Sequence, residues 1–194
     1  MTKMSWKRFG IGAVALSGLA LGVALSLQAA AVPPVVCNGT KDHLIHLYGG
    51  PPIHVTTTGF LSADVGSTFV TPDGRTGTNL TVHDVFSTGN VEGLGTASFS
   101  LDTTRKAGPS AIVANQAGRS FPATQTMQFH FNFDLDGHTY RSINPATVTN
   151  TSVSQFPPAS GTTYVLTSEL KLEDVNKPGT VAVTMDPGKA FTIR

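Results

Sequence analysis

Residues 127–135 alternate without a fault: Met127, Phe129, Phe131, Phe133 and Leu135 are apolar, while Gln128, His130, Asn132 and Asp134 are polar. Successive side chains of a strand point to opposite faces, so this period of two predicts a strand carrying one methionine, three phenylalanines and a leucine on a single face. A helix would scatter the same five residues around its circumference. Asp136-Gly137 then supplies the dipeptide that tolerates the positive φ angles of a tight hairpin, and His138–Ile143 is expected to return beside the first strand.

The rest of the chain beyond Pro33-Pro34 reads in the same way, as short extended runs divided by glycine, proline, serine and aspartate. His43–Tyr48 and Ile53–Thr58 are strand candidates, and Phe60–Val70 continues past Gly59 as a bent strand with a bulge expected at the glycine. Thr71-Pro72-Asp73-Gly74 is a turn. Leu80, Val82, Asp84 and Phe86 share one parity, as do Ala97, Phe99 and Leu101 further on. A polar segment, 103–110, suits an exposed loop. Ala111–Ala114 and Ala146–Val153 add two more runs, and Tyr164, Leu166, Leu170 and Leu172 mark a second long alternation that favours strand over a short helix at Ser168–Val175. Thr180–Asp186 and Ala190–Arg194 close the chain. Nine to eleven short strands without an amphipathic helix predict an all-β fold, an antiparallel β-sandwich first and a closed antiparallel β-barrel as the alternative.

The first residues have a different character. Lys3, Lys7 and Arg8 precede an apolar run from Ile11 to Leu27, and Ala29 and Ala31 meet the small-x-small requirement of a cleavage site. Residues 1–31 are therefore expected to be a secretory signal peptide that is removed, leaving 32–194 as one all-β domain that is secreted, periplasmic or extracellular and spans no membrane. The rival is an uncleaved anchor, because the run reaches the lower limit for crossing a bilayer. Three of the thirteen basic residues and none of the twelve acids lie in this segment, so the domain carries ten basic against twelve acidic residues, a net charge of −2. With no basic cluster, it has no electrostatic footprint for nucleic acid.

Reactive chemistry is sparse. The six histidines, His43, His46, His54, His83, His130 and His138, include no pair two residues apart, the spacing that would turn two ligands to one face of a strand. They are expected to be scattered over the surface. There is no Gly-x-Ser-x-Gly elbow, no His-Glu-x-x-His pair and no phosphate-binding glycine loop, so enzymatic activity is not expected and no cofactor is assigned. Asn132, Asp134 and Asp136, followed by Gly137, resemble the start of a calcium loop, but the twelfth position is Ile143 where a bidentate glutamate is required. An extended chain would also hold the three oxygen donors too far apart for one ion. Cys37 is the sole cysteine and can only pair between chains, in a disulfide-linked dimer, or be buried as a small apolar side chain.

Three functions remain. The first is a non-catalytic structural or interaction module of the cell exterior, with another protein as partner. The second is a β-barrel or sandwich holding a small apolar ligand against the face of Phe129, Phe131 and Phe133. The third is a carbohydrate-binding module, which the aromatic content disfavours: Trp6, the only tryptophan, lies in the signal, leaving Tyr48, Tyr140 and Tyr164 besides the phenylalanines. A cavity of a few hundred Å³ behind the phenylalanine face would favour the second, since ligand pockets run at about 300–1,000 Å³, and a solid core the first.

Overall fold

The computed structural model of the protein describes residues 33–194; the signal peptide expected at 1–31, with Trp6, lies outside them. Thirteen strands form, all paired antiparallel: β1 (Val35–Leu47), β2 (Pro52–Val70), β3 (Thr76–Val91), β4 (Gly95–Leu101), β5 (Ser110–Ala114), β6 (Ala123–Phe129), β7 (Phe131–Leu135), β8 (His138–Ser142), β9 (Ala146–Val153), β10 (Thr163–Leu166), β11 (Leu170–Asp174), β12 (Val181–Met185) and β13 (Gly188–Ile193). No helix occurs among the described residues, so none there is long and apolar enough to cross a membrane.

The strands run in the hydrogen-bonded order β12-β11-β8-β7-β4-β3-β2-β1-β13-β10-β9-β6-β5, and two further pairings, β12 with β1 and β5 with β3, join both ends back to the long strands. Every strand thus has a partner on each side, which removes the unpaired edges that invite aggregation. The result is barrel-like. The long strands β1, β2 and β3, of 13, 19 and 16 residues, run the full length. The shorter strands divide into two sets. β4, β7, β8, β11 and β12 complete the circuit from β3 to β1 at one end, and β5, β6, β9, β10 and β13 complete it at the other. Accordingly β1 pairs with β12 through Ile45–Leu47 and with β13 through Gly39–Thr40, and β3 pairs with β4 through Phe86–Val91 and with β5 through Gly77–Leu80.

Between the two sets lies a waist, where five staves are interrupted, at 102–109, His130, 143–145, 167–169 and 186–187. These interruptions explain why there are more strands than alternation suggests. Residues 127–135 do not form one strand: β6 pairs with β5 and β9, and β7 with β4 and β8, with the break at His130. The stretch 164–173 splits likewise into β10 and β11. Inward parity survives the first break, so Met127, Phe129, Phe131, Phe133 and Leu135 are all buried. Backbone bonds seal the gaps: Asp102 N–H donates to the His130 carbonyl (2.9 Å), Thr167 N–H to Thr147 (3.0 Å) and Asp186 N–H to Leu44 (3.0 Å).

Two local expectations are corrected. Leu80, Val82, Asp84 and Phe86 do not share a face, because a bulge places His83 as an extra residue between the Ala63–Val82 and Ser62–Asp84 pairs. Beyond it the parity inverts, so Val85 and Ser87 are buried and Phe86 is 45 % exposed. Gly59, in turn, is not a bulge. It lies in regular register between Gly39 and Ser87, and a Cβ there would stand 2.0 Å from the Phe86 carbonyl oxygen, so glycine permits close approach of the long strands. The hairpin forms as expected, with Asp136 (φ 47°) and Gly137 (φ 80°) at its turn.

Most buried apolar residues form one core. It includes Ile45, Val55, Val85, Phe99, the row Met127–Leu135, Leu172, Val183, Met185 and Phe191. A smaller cluster of Leu80, Ile112, Ala123 and Val153 lies under Phe121 and Phe156.

Candidate functional site

Strand β1 turns Ile45, His43, Lys41 and Gly39 toward the core, since residues two apart share a face and Ile45 is fully buried. Lysine in such a row is unexpected: its ammonium is among the costliest groups to bury. Lys41 is nonetheless only 6 % exposed, and its Nζ has no hydrogen-bond partner among the described residues. Its nearest aromatic surface is Phe99, with Nζ 5.6 Å from the ring centroid. Burial pulls the Lys41 pKa down to about 7, with the negative charge of Asp84 opposing that shift.

At the waist Lys41 and His43 meet the ends of the interrupted strands around a cavity of about 40 Å³, whose remaining wall is apolar, with Phe99, Phe129, Phe131, Met127 and Phe191 prominent. The phenylalanines interlock: Phe99 and Phe131 centroids are 5.6 Å apart and Phe129 and Phe131 6.3 Å. The His43 ring packs 5.4 Å from Phe99. Crowding by protein atoms, then the neighbouring Lys41 charge, pushes the His43 pKa down to about 4. The imidazole is therefore neutral at physiological pH.

Two open depressions reach this cavity from outside, each at an interrupted stave. The break between β4 and β5 leaves a cleft of about 510 Å³, rimmed by Arg105, Lys106 and His130 and containing Phe129 in its wall. The break between β12 and β13 leaves one of about 410 Å³, bounded by Asp42, His54, Asp186, Pro187 and His43. Phe129 lines both the cavity and the first depression, and His43 both the cavity and the second.

A polar cluster braces the same waist. Arg105 Nη1 donates to the Ser142 carbonyl (2.5 Å) and Nη2 to Glu173 Oε1 (3.4 Å), while Arg141 Nε donates to Glu173 Oε1 (2.7 Å). The Gly179 N–H at 2.6 Å, and then Arg141, hold the Glu173 carboxyl below the usual range. Ser142 Oγ accepts the Phe131 N–H (3.2 Å) and pairs with His130 Nδ1 (3.1 Å). This hydroxyl is fully buried and serves the strand break. Ser142→Ala is expected to destabilise the fold by roughly 1–3 kcal/mol in urea unfolding, because it strands a buried backbone donor.

Of the phenylalanines expected to face a ligand, Phe129 and Phe131 line the cavity. Phe133 does not; it is fully buried against Phe99 and Tyr140, at 4.8 and 6.2 Å between centroids. Asn132, Asp134 and Asp136 are spread along β7 and its turn, and Asp134 accepts hydroxyls from Thr139 (2.5 Å) and Ser98 (3.4 Å). Among the described residues no three His, Cys, Asp or Glu side chains gather as a metal site. Millimolar calcium is expected to leave the melting temperature unchanged, whereas a site at 100 times its dissociation constant would add about 2.7 kcal/mol. The expectation of surface histidines fails for His43 and His130: the first lies on the inward face of β1 and walls the cavity, and the second is 7 % exposed at the strand break, where it pairs with Ser142 beside the outer cleft. Cys37 is half-buried against the core, and burial raises its thiol pKa. Tyr140 and Tyr164 are buried, leaving Tyr48 as the exposed tyrosine. Sequence reasoning passed over Lys41, because both parities of its strand mix aliphatic with polar residues.

No protein-family model matches the chain, and no curated protein matches it either. Among solved structures, DynF from the dynemicin biosynthesis pathway of Micromonospora chersina is similar in fold, with a TM-score of 0.62 over 87 % of this chain and 88 % of DynF, at 17 % sequence identity.

Proposed function

We propose that the protein binds a small, predominantly apolar molecule inside the waist. The observation that carries this reading is the buried Lys41 ammonium, without a hydrogen-bond partner among the described residues, on the wall of an apolar cavity. Buried polar groups are almost always satisfied, and an interior ion without a partner stabilises nothing by itself. Ligand sites, by contrast, combine apolar walls with a few placed polar groups. At about 40 Å³ the space exceeds the roughly 10–15 Å³ that holds one water and falls short of the roughly 300–1,000 Å³ typical of ligand pockets. Occupation therefore requires side chains to move. Met127 is adaptable by chemistry, and Phe129 already borders an open cleft. Together with the export signal expected at residues 1–31, this reading makes the chain a ligand carrier outside the cytoplasm.

The test is titration with N-phenyl-1-naphthylamine, a neutral probe whose emission rises in apolar surroundings. Saturable binding to the wild type is expected, with faster association in Phe129→Ala, which opens the wall between cleft and cavity. Absence of saturable binding in both proteins would overturn the proposal.

A further inference from the structure

We infer that Lys41 is a covalent anchor: its Nζ captures an apolar aldehyde or ketone in the cavity as an imine. This rests on the ligand-binding reading and assigns its ligand a functional group. The geometry points to it in three ways. Lys41 Nζ projects among apolar side chains, and no described carboxylate, carbonyl or hydroxyl occupies it by hydrogen bonding. A stable anion partner would need to bring a second ion into the same apolar space, where desolvation is costly. A carbonyl compound brings none, and the imine it forms can remain neutral.

The step balances without oxidant or reductant. The Nζ lone pair forms a bond to the carbonyl carbon while the C=O π electrons move to oxygen. One nitrogen proton passes to that oxygen, giving a carbinolamine. The C–O bond then breaks, and the oxygen leaves as water with the second nitrogen proton, so one amine and one carbonyl yield one C=N bond and one water. Such transfers need a group that accepts and returns a proton nearby. His43, two residues along the same strand face, is the other titratable side chain among the described residues lining the cavity. A lysine held near pKa 7 also has about a thousandfold more free amine at neutral pH than an exposed lysine, and desolvated lysines are the ones used as amine nucleophiles.

The experiment is reductive trapping. The protein is incubated at pH 7 with substoichiometric hexanal and sodium cyanoborohydride, and the alkylated lysine is located by peptide mass mapping. Lys41 should be hexylated at least tenfold faster than the exposed Lys106, Lys171 and Lys177, with one group added per chain, and excess N-phenyl-1-naphthylamine should slow it. Lys41→Arg should lose the rapid addition. Hexylation of Lys41 no faster than at the exposed lysines overturns the inference. If naphthylamine binding persists in that case, the ligand-binding reading stands without covalent capture; if binding is absent too, both fall.

Discussion

Lys41→Met is expected to stabilise the protein, by roughly 1–4 kcal/mol at pH 6, because it replaces an unpartnered interior ion with an apolar side chain of similar length. The gain should depend on pH in a defined window. The folded-state pKa of Lys41, about 7, lies below the ordinary value of 10.5 that governs the unfolded chain. Between those values the unfolded chain retains a proton that the folded chain has released, so wild-type stability rises with pH there. The advantage of Lys41→Met is consequently full below about pH 7, shrinks between 7 and 10.5 and disappears above it. Urea unfolding of both proteins at pH 6, 8 and 9.5 measures the difference, and titrating groups not coupled to Lys41 cancel in the comparison. His43 acts in a separate window. Its pKa near 4 against an ordinary 6.5 means that wild-type stability falls as pH drops through that interval, and less steeply in Lys41→Met, which lacks the lysine charge that contributes to the shift. A pH-independent difference, or a destabilised Lys41→Met, would show that the ammonium is better accommodated than its surroundings indicate.

The second large effect is expected at Phe133. Its side chain is wholly buried, and its ring contacts Phe99 and Tyr140 at centroid distances of 4.8 and 6.2 Å. Phe133→Ala should cost roughly 3–5 kcal/mol, the loss of transfer free energy plus a cavity that these β-sheet neighbours are poorly placed to fill. That is a large share of a typical domain's 5–15 kcal/mol. Phe131→Ala should cost less despite the same chemistry. Phe131 already borders the cavity, so its ring makes fewer contacts to lose, and truncation should enlarge the space and tighten binding of the naphthylamine probe. Equal costs at the two positions would contradict the placement of the cavity beside Phe131 and away from Phe133.

The retention of a lysine that weakens the fold is best understood with the waist that houses it. Interrupting five staves sacrifices ladder bonds, and the Arg105, Arg141, Glu173 and Ser142 network restores some of them with side chains. The same breaks leave the two depressions, each of which shares one lining side chain, Phe129 or His43, with the cavity. A continuous barrel would have closed the interior on every side.

What the sequence by itself determined is the part governed by local periodicity. Alternation placed Met127, Phe129, Phe131, Phe133 and Leu135 on one buried face, and Asp136-Gly137 named the turn, because strand pleat and positive-φ tolerance are properties of neighbouring residues alone. The same rule erred at Phe86, since a bulge adds one residue without any signature in composition and inverts every side chain beyond it. The break at His130 was illegible for the opposite reason: inward parity continues across it, and only the pairing partners change, from β5 and β9 to β4 and β8. In β1 both parities mix aliphatic with polar residues: Val35, Ile45 and Leu47 share one with Lys41 and His43, and Val36 and Leu44 share the other with Asn38, Thr40, Asp42 and His46. Only closure of the circuit, with β12 laid against Ile45–Leu47 and β13 against Gly39–Thr40, decides that Ile45, His43 and Lys41 face inward. The site therefore belongs to tertiary structure: its walls come from strands distant in sequence, and the lysine becomes unusual only once they surround it.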